Sequence, residues 1–422
     1  MFKFNFSADD LEFDDPELAA QQQDEDQLED LAKPLESLSV SPAEQILVPA
    51  SQIDLQSKSC LHSLPSTLHF ELAQIPVLTS GAGAGTAIAT DTKTGKEKEV
   101  VTIYKRNLED VKFQIAQEDE EFDAQENDTA NGTTTTTVTG PGGVEMLALA
   151  GTSDLVKGVY EGGLKTWECA LDLVAYLAEQ KENFDGQRVL ELGCGSALPG
   201  IYVLTQSDSV KVDLQDYNDQ VLKLVTLLNV LLNTHVRPDQ QPIDEEEEDE
   251  KEMEEIETDQ ADKADGEGED EDEDEEDEDE EPEADPADGD FQGVELDLPD
   301  SEEERLQLLS KVANQSKFFM GDWSGLVELM AFKDDADKYD LILTSETIYA
   351  EESHPKLYAT IKNSLKRGGK ALVAAKTFYF GVGGDILSFR RLIEKDGVFN
   401  VKVVFSAQAF VRREILELTF KA

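Results

Sequence analysis

The stretch Val189-Leu-Glu-Leu-Gly-Cys-Gly-Ser-Ala-Leu-Pro-Gly200 carries the reading of the fold. A short apolar run ends in Gly193-Cys194-Gly195 and turns into a helical pattern at Pro199–Leu204. Glycine accepts left-handed backbone and lets the main chain approach a ligand closely. The helix that follows points free N–H groups at that ligand. A nicotinamide loop would place a third glycine where Leu198 stands, and no Lys-Ser/Thr follows as a Walker loop requires.

On either side the pattern alternates. Thr166–Gln180 has helical spacing, with Trp167, Ala170, Leu171, Val174 and Leu177 on one face. Val210–Leu214 reads as a strand and Val221–Leu232 as an apolar helix. Further on come a helix at Glu302–Val312 and strands at Lys317–Met320 and Leu341–Leu343. A helix at His354–Leu365, a strand at Ala371–Ala375 and a helix at Ile386–Glu394 follow. Val401–Phe405 and Arg413–Phe420 are two strands with no helix between them, hence a hairpin. The expectation is an α/β sandwich: a seven-strand, Rossmann-like, mostly parallel sheet with one antiparallel strand near the C-terminus. Its ligand cleft should lie at the carboxyl ends of the strands. Val100–Ile115 reads as one or two further strands.

Charge divides the chain. Of its 422 residues 93 are Asp or Glu and 36 Lys or Arg, a net charge of −57. Residues 244–304 hold 38 acids and 2 lysines, and residues 1–40 hold 12 acids and 2 lysines. The remainder carries 43 acids and 32 bases, an ordinary balance. The expected organisation is an acidic disordered tail (1–40), an extension of mixed order (41–153) and one folded domain in two parts (154–236 and 305–422). An acidic disordered insertion (237–304) separates those parts. Such a field disfavours nucleic acid and anionic membranes as partners. Three cysteines without a CxxC pair and four scattered histidines argue for a reduced, intracellular protein without a zinc cluster. No uncharged apolar run reaches the roughly eighteen residues that span a bilayer.

At the strand ends the chemistry accumulates. Glu191, two residues before the first glycine, is placed to meet a cationic ligand, which suits the sulfonium and ammonium of S-adenosylmethionine. Asp216 ends the second strand, where a carboxylate binds ribose hydroxyls. That feature alone leaves NAD open. Gly321-Asp322-Trp323 offers an acid and a ring to an adenine. Thr344-Ser-Glu-Thr-Ile-Tyr349 sets polar groups where an acceptor would meet the methyl group.

Together these residues resemble a known family. Gly158-Val-Tyr-Glu-Gly-Gly-Leu-Lys-Thr-Trp-Glu-Cys169, Glu191–Ser196, Gln215-Asp-Tyr-Asn218, Tyr339–Tyr349 and Tyr379-Phe-Gly-Val-Gly-Gly384 are similar to eukaryotic protein-histidine N-methyltransferases. The start Phe4-Asn5-Phe6 is similar as well. The resemblance implies a seven-strand S-adenosylmethionine enzyme that methylates a histidine of a basic large-subunit ribosomal protein. It implies that Thr166, Trp167, Glu168, Gly193 and Gly195 border the donor. Asp216, Tyr217 and Asn218 would hold its ribose, Gly321, Asp322 and Trp323 would flank adenine, and Ser345 would close the cleft. Ala197 stands where many methyltransferases carry a third glycine, so the backbone there is expected slightly further from the donor.

Neutral imidazole can attack a methyl sulfonium without a strong base, so the site must orient the ring and select its tautomer. Glu346 and Tyr349 are the expected acceptors for the other ring N–H. The expected protein is a monomer of cytoplasm and nucleus, with no metal. Two alternatives stay open: a lysine methyltransferase of the same fold, and a non-catalytic acidic chaperone for basic ribosomal proteins.

Overall fold

Strand Arg188–Leu192 (β4 of eleven among the described residues) is the centre of an eight-stranded sheet, and its side chains alternate between two cores. Val189 joins the core formed with helices Glu168–Gln180 (α2), Leu198–Leu204 (α3) and Leu227–Thr234 (α4). Leu190 and Leu192 face the other core, under His354–Ser364 (α7) and Ile386–Asp396 (α8). The computed structural model describes residues 48–77, 99–115, 161–238, 294–407 and 409–422, all within the unit Leu47–Ala422. The expectations for the acidic tail, the Phe-Asn-Phe start, Gly158–Tyr160 and the thirteen-acid run at 269–281 lie outside those residues.

Lys211–Asp216 (β5) and Phe318–Met320 (β7) lie parallel on one side of β4. Tyr339–Ser345 (β8) and Leu365–Lys376 (β9) lie parallel on the other. Arg413–Phe420 (β11) inserts antiparallel between β9 and Phe399–Ala407 (β10). The chain moves outward from β4 in opposite senses towards β5 and β8, which opens a crevice at their carboxyl ends. An eighth strand, Ser51–Gln52 (β1), pairs antiparallel with β7. It comes from the segment before residue 154, where nothing in the sequence announced it.

A second, three-stranded sheet joins Thr67–Pro76 (β2) to Val100–Arg106 (β3) on one edge and Val294–Asp297 (β6) on the other. Two expectations change here. Val100–Ile115 is one strand followed by a helical stretch at 108–115, because Asn107 ends the alternating pattern and its Oδ1 accepts the Glu109 N–H at 2.8 Å. Ordered chain also resumes before Arg305: β6 forms because Leu296 inserts into the core beside Leu68. Helix Glu302–Gln315 (α5) then starts on a serine N-cap, with Ser301 Oγ accepting the Glu304 N–H at 3.3 Å and donating to Glu304 Oε2 at 2.6 Å.

The second sheet is fastened to the first domain by buried polar groups. Arg106, whose side chain is fully buried, donates to Asp110 Oδ2 at 2.7 Å and to the Leu224 carbonyl at 2.8 Å. Asn229 and Asn233 accept backbone N–H groups of Arg106 and Tyr104. Removing one partner of a buried ion pair strands the other charge, typically at about 3–5 kcal/mol. Arg106→Met should therefore lower the thermal midpoint by roughly ten degrees or more in calorimetry.

Candidate active site

The glycine loop is built from left-handed backbone. Gly193, Gly195 and Ala197 have φ of 61°, 49° and 57°. At Gly193 a Cβ would run into Thr347 Cγ2 and sit 3.9 Å from the Trp323 ring. Ala197 adopts the glycine-like conformation with a buried methyl, at a cost of about 1–2 kcal/mol. The loop thus keeps the trace a third glycine would give.

Its N–H groups are tied to the neighbouring strand. Gly195 N–H donates to Asp216 Oδ2 at 2.8 Å, and Gly193 N–H to Gln215 Oε1 at 3.2 Å. Gln215 Oε1 also accepts the Trp323 indole N–H at 2.7 Å, and its amide donates to the Gly321 carbonyl. One side chain therefore sets the glycine loop, the Gly321 turn and the tryptophan together. The π-helical turn Leu222–Thr226 ahead of α4 brings Thr226 Oγ1 to the Gly195 carbonyl at 2.6 Å. Burial pushes the Asp216 carboxyl up to about 6 against the hydrogen bonds it accepts.

Residues 161–167 lie over this loop. Gly163 packs so closely that a Cβ there would meet Val221 and Asp216. Glu161 N–H donates to Asn218 Oδ1 at 3.3 Å, and the Tyr349 hydroxyl donates to the Glu161 carboxylate. Thr166 Oγ1 donates to Ser196 Oγ at 2.9 Å, and Trp167 Nε1 to the Gly162 carbonyl at 3.0 Å. α2 begins at Glu168, with Trp167 as its N-cap, rather than at Thr166. The extended Trp167 backbone swings that ring out of the helix and into the crevice.

Beside the loop opens a cleft of about 500 Å³, lined by Trp167, Glu168, Glu346, Tyr349, Lys376 and Tyr379 among others. Glu346 has φ of 57°, a strained conformation for a non-glycine residue. Its carboxylate is buried, neither oxygen has a hydrogen-bond partner among the described residues, and Lys376 Nζ lies 3.4 Å away. Lys376 also pairs with Glu168 at 2.9 Å and stands 5.2 Å from the Trp167 ring centroid. Burial works against the lysine's charge, but Glu168 and Glu346 prevail and hold its pKa above the ordinary range. Burial and the Glu161 charge push the Tyr349 phenol far up, so it stays a neutral hydroxyl.

Not every expected residue faces the crevice. Glu191 points beneath α3 because it shares the face of Val189, two residues back on the strand. Its Oε2 accepts the Gly200 N–H at 2.8 Å, while Oε1 has no partner among the described residues. The expectation that it meets a cationic ligand is corrected by this placement. Asp322 caps Trp323–Met330 (α6) through Ser324 N–H at 2.9 Å and pairs with Lys356 at 2.9 Å. The Tyr217 hydroxyl accepts the Val48 N–H at 3.4 Å, and Ser345 ends β8 half-buried.

Several residues escaped the sequence reading. Glu161 and Gly163 lie inside a run already singled out, but their contact with the loop depends on tertiary folding. Lys376 ends a parallel strand, and Arg413 starts the antiparallel one, so both arrive at the same edge. That positional rule would have found them. Arg413 is held there by Asp172, with Nη2 3.1 Å from Oδ1.

Burial pushes Glu191 from the ordinary 4.5 to about 8. The folded state therefore keeps this proton longer than the unfolded state. The associated stability is complete below the unfolded value and is lost as pH rises through the folded one. The wild-type thermal midpoint should fall more between about pH 5 and pH 9 than that of Glu191→Gln, followed by circular dichroism.

Comparison with known proteins agrees with this geometry. A family model described as lysine methyltransferase matches residues 154–257. Rat histidine protein methyltransferase 1 homolog is 33% identical over 269 residues, 64% of this chain and 59% of that protein. The cattle homolog is 34% identical over 270 residues, 64% of this chain and 58% of that protein. Histidine protein methyltransferase 1 of Schizosaccharomyces pombe is 29% identical over 326 residues, 75% of this chain and 76% of that protein. The chain thus spans about 59% of the length of the rat relative. Among solved structures, Methanococcus jannaschii fibrillarin pre-rRNA processing protein has a TM-score of 0.30 at 12% identity, over 57% of this chain and 68% of that one. By sequence the chain is similar to proteins named histidine protein methyltransferase 1, and its main sheet is a Rossmann-like, mostly parallel α/β sheet.

Proposed function

We propose that this chain transfers a methyl group from S-adenosylmethionine to a ring nitrogen of a histidine in a protein. The observation that carries the reading is Glu346: a buried, strained carboxylate beside Lys376, with no hydrogen-bond donor in bonding geometry among the described residues, facing an aromatic-walled cleft beside the glycine loop.

The residues fit the donor. Asp216 at the end of β5 is the carboxylate for ribose hydroxyls, joined by Asn218. Gly193, which has no room for a Cβ, leaves the loop backbone open beside the Trp323 ring. S-adenosylmethionine supplies an electrophilic sulfonium methyl when bound. Everything else falls to the protein. Glu346, accepting the N–H of one imidazole nitrogen, fixes the tautomer whose other nitrogen carries the lone pair. Trp167 and Tyr379 wall the ring and restrict its orientation. The methylated ring is cationic until it loses that N–H proton, and Glu346 is the group placed to receive it. Tyr349 already donates to Glu161, so its oxygen lone pairs remain for a second acceptor role.

The family model's description favours lysine as a second reading. Lys376 weighs against it, since an incoming ammonium would share Glu346 with a cation already 3.4 Å away. A neutral imidazole meets no such repulsion. Incubation with labelled donor and ribosomal proteins, followed by acid hydrolysis, decides: methylhistidine is expected, and methyllysine would replace this reading. Glu346→Gln should lower kcat by roughly 100-fold or more, the scale of a lost acid–base group, with donor affinity little changed. Asp216→Ala should instead weaken donor binding in calorimetry. Full turnover by both Glu346→Gln and Tyr349→Phe would remove these residues from the chemistry.

The substrate we propose is a basic large-subunit ribosomal protein, which places the enzyme in cytoplasm and nucleus as a monomer. Thirteen consecutive acids at 269–281 support the charge side of that match. Deleting 244–285 should raise KM for such a substrate more at low salt than at high salt, and an equal KM at both would remove the attraction.

A further inference from the structure

Large apolar side chains crowd the mouth of the Glu346 cleft. Phe378 is 49% exposed, Phe380 70%, Val382 40% and Phe410 100%. Among the described residues nine large hydrophobic side chains are at least 40% exposed, and four of them stand on this one rim. Scattered exposed hydrophobics are ordinary, but a contiguous patch around a cleft marks a binding surface. Phe378 and Phe380 pack edge to face with centroids 4.9 Å apart, so they present one aromatic ledge. That ledge follows β9, and Phe410 reaches the same mouth from the β10–β11 connection. Gly381 and Gly383, with φ of 81° and 87°, turn the ledge where a side chain would meet open space.

Beneath this apolar rim the cleft is anionic. Glu161, Glu168 and Glu346 line it against Lys376 and Arg413, and Arg413 is already held by Asp172. An apolar collar over a carboxylate floor is complementary to a polypeptide that is cationic and carries an apolar residue near its inserted side chain. It is poorly matched to a nucleic acid, whose phosphates the floor would repel.

We propose that Phe378, Phe380 and Phe410 form a docking collar for an extended, basic polypeptide segment. The collar buries one aliphatic side chain adjacent to the residue that enters the cleft. The segment rests on the proposed function for the identity of the inserted residue, a histidine, but the collar acts in binding and not in the chemistry. Specificity then has two parts: charge brings the segment, and the collar fixes which residue faces Glu346.

The test uses the full chain and two fluorescent peptides, each with a central histidine among lysines, differing only in Leu or Ser beside the histidine. Fluorescence anisotropy should show the Leu peptide binding about tenfold tighter, the scale of one partly buried aliphatic side chain. That preference should vanish in Phe380→Ser and in Phe410→Ser, whose thermal midpoints and donor affinity should match wild type. Equal affinity for the two peptides, no binding of either, or a preference that survives both substitutions overturns the collar. So does collar-dependent binding to neutral phosphatidylcholine vesicles, which would make the patch a lipid contact. A Leu preference without methylhistidine formation would keep the collar and remove the proposed function. Methylhistidine formation without the preference would do the reverse.

Discussion

The bond from the Gly195 N–H to the Asp216 carboxylate, 2.8 Å long, joins the two strands whose ends make the crevice. Everything nearby is arranged around it. Left-handed backbone at three alternating positions is needed to turn that N–H away from its own helix and towards β5. Gln215, on the adjacent residue, ties the same loop to Trp323 and to the Gly321 turn. The packing of Gly163 over the loop then leaves no space for a larger residue. A buried carboxylate is costly unless its oxygens accept hydrogen bonds, and here the backbone provides them before any ligand does. The loop is consequently preorganised, and its shape does not wait on occupancy.

Much of this could be read from the chain. The period-two alternation of Val189, Leu190 and Leu192 and the helical spacing after them identify strands and helices because one face of each must be buried. Asp216 and Trp323 were recognisable because parallel sheets deliver their carboxyl ends to one edge. Glu191 shows where motif reading fails: its proximity to the glycines in sequence suggests the ligand, but strand alternation sends it under α3. Glu161 was hidden for a different reason. It gains its place through partners at Asn218 and Tyr349, far away along the chain. The second sheet was illegible because β6 lies inside the stretch read as acidic insertion (237–304), far along the chain from its partner β2, and no local pattern specifies such a pairing.

Glu346 and Lys376 illustrate how strain and charge are balanced in a cleft. The left-handed backbone at Glu346 places the carboxylate where no donor among the described residues satisfies it, a cost that surrounding structure must carry. Lys376 offsets part of it through charge while leaving the oxygens available. Glu168, on the outer side of the lysine, keeps that cation from belonging to Glu346 alone. The result is an acceptor that is electrostatically supported and sterically reserved.

The pairing of β1 with β7 sets Ser51 against Met320, and β2 waits in the same way for β6. During synthesis at about 5–20 residues per second, the N-terminal segment spends on the order of tens of seconds without its sheet partner. Contacts of such long sequence separation are also slow to form, because a large loop must close first. β1 therefore has no strand to pair with until β7 has been made, whereas β2 can pair with β3 much earlier. The glycine loop and β5, by contrast, are neighbours in sequence and can assemble while the later strands are still being made.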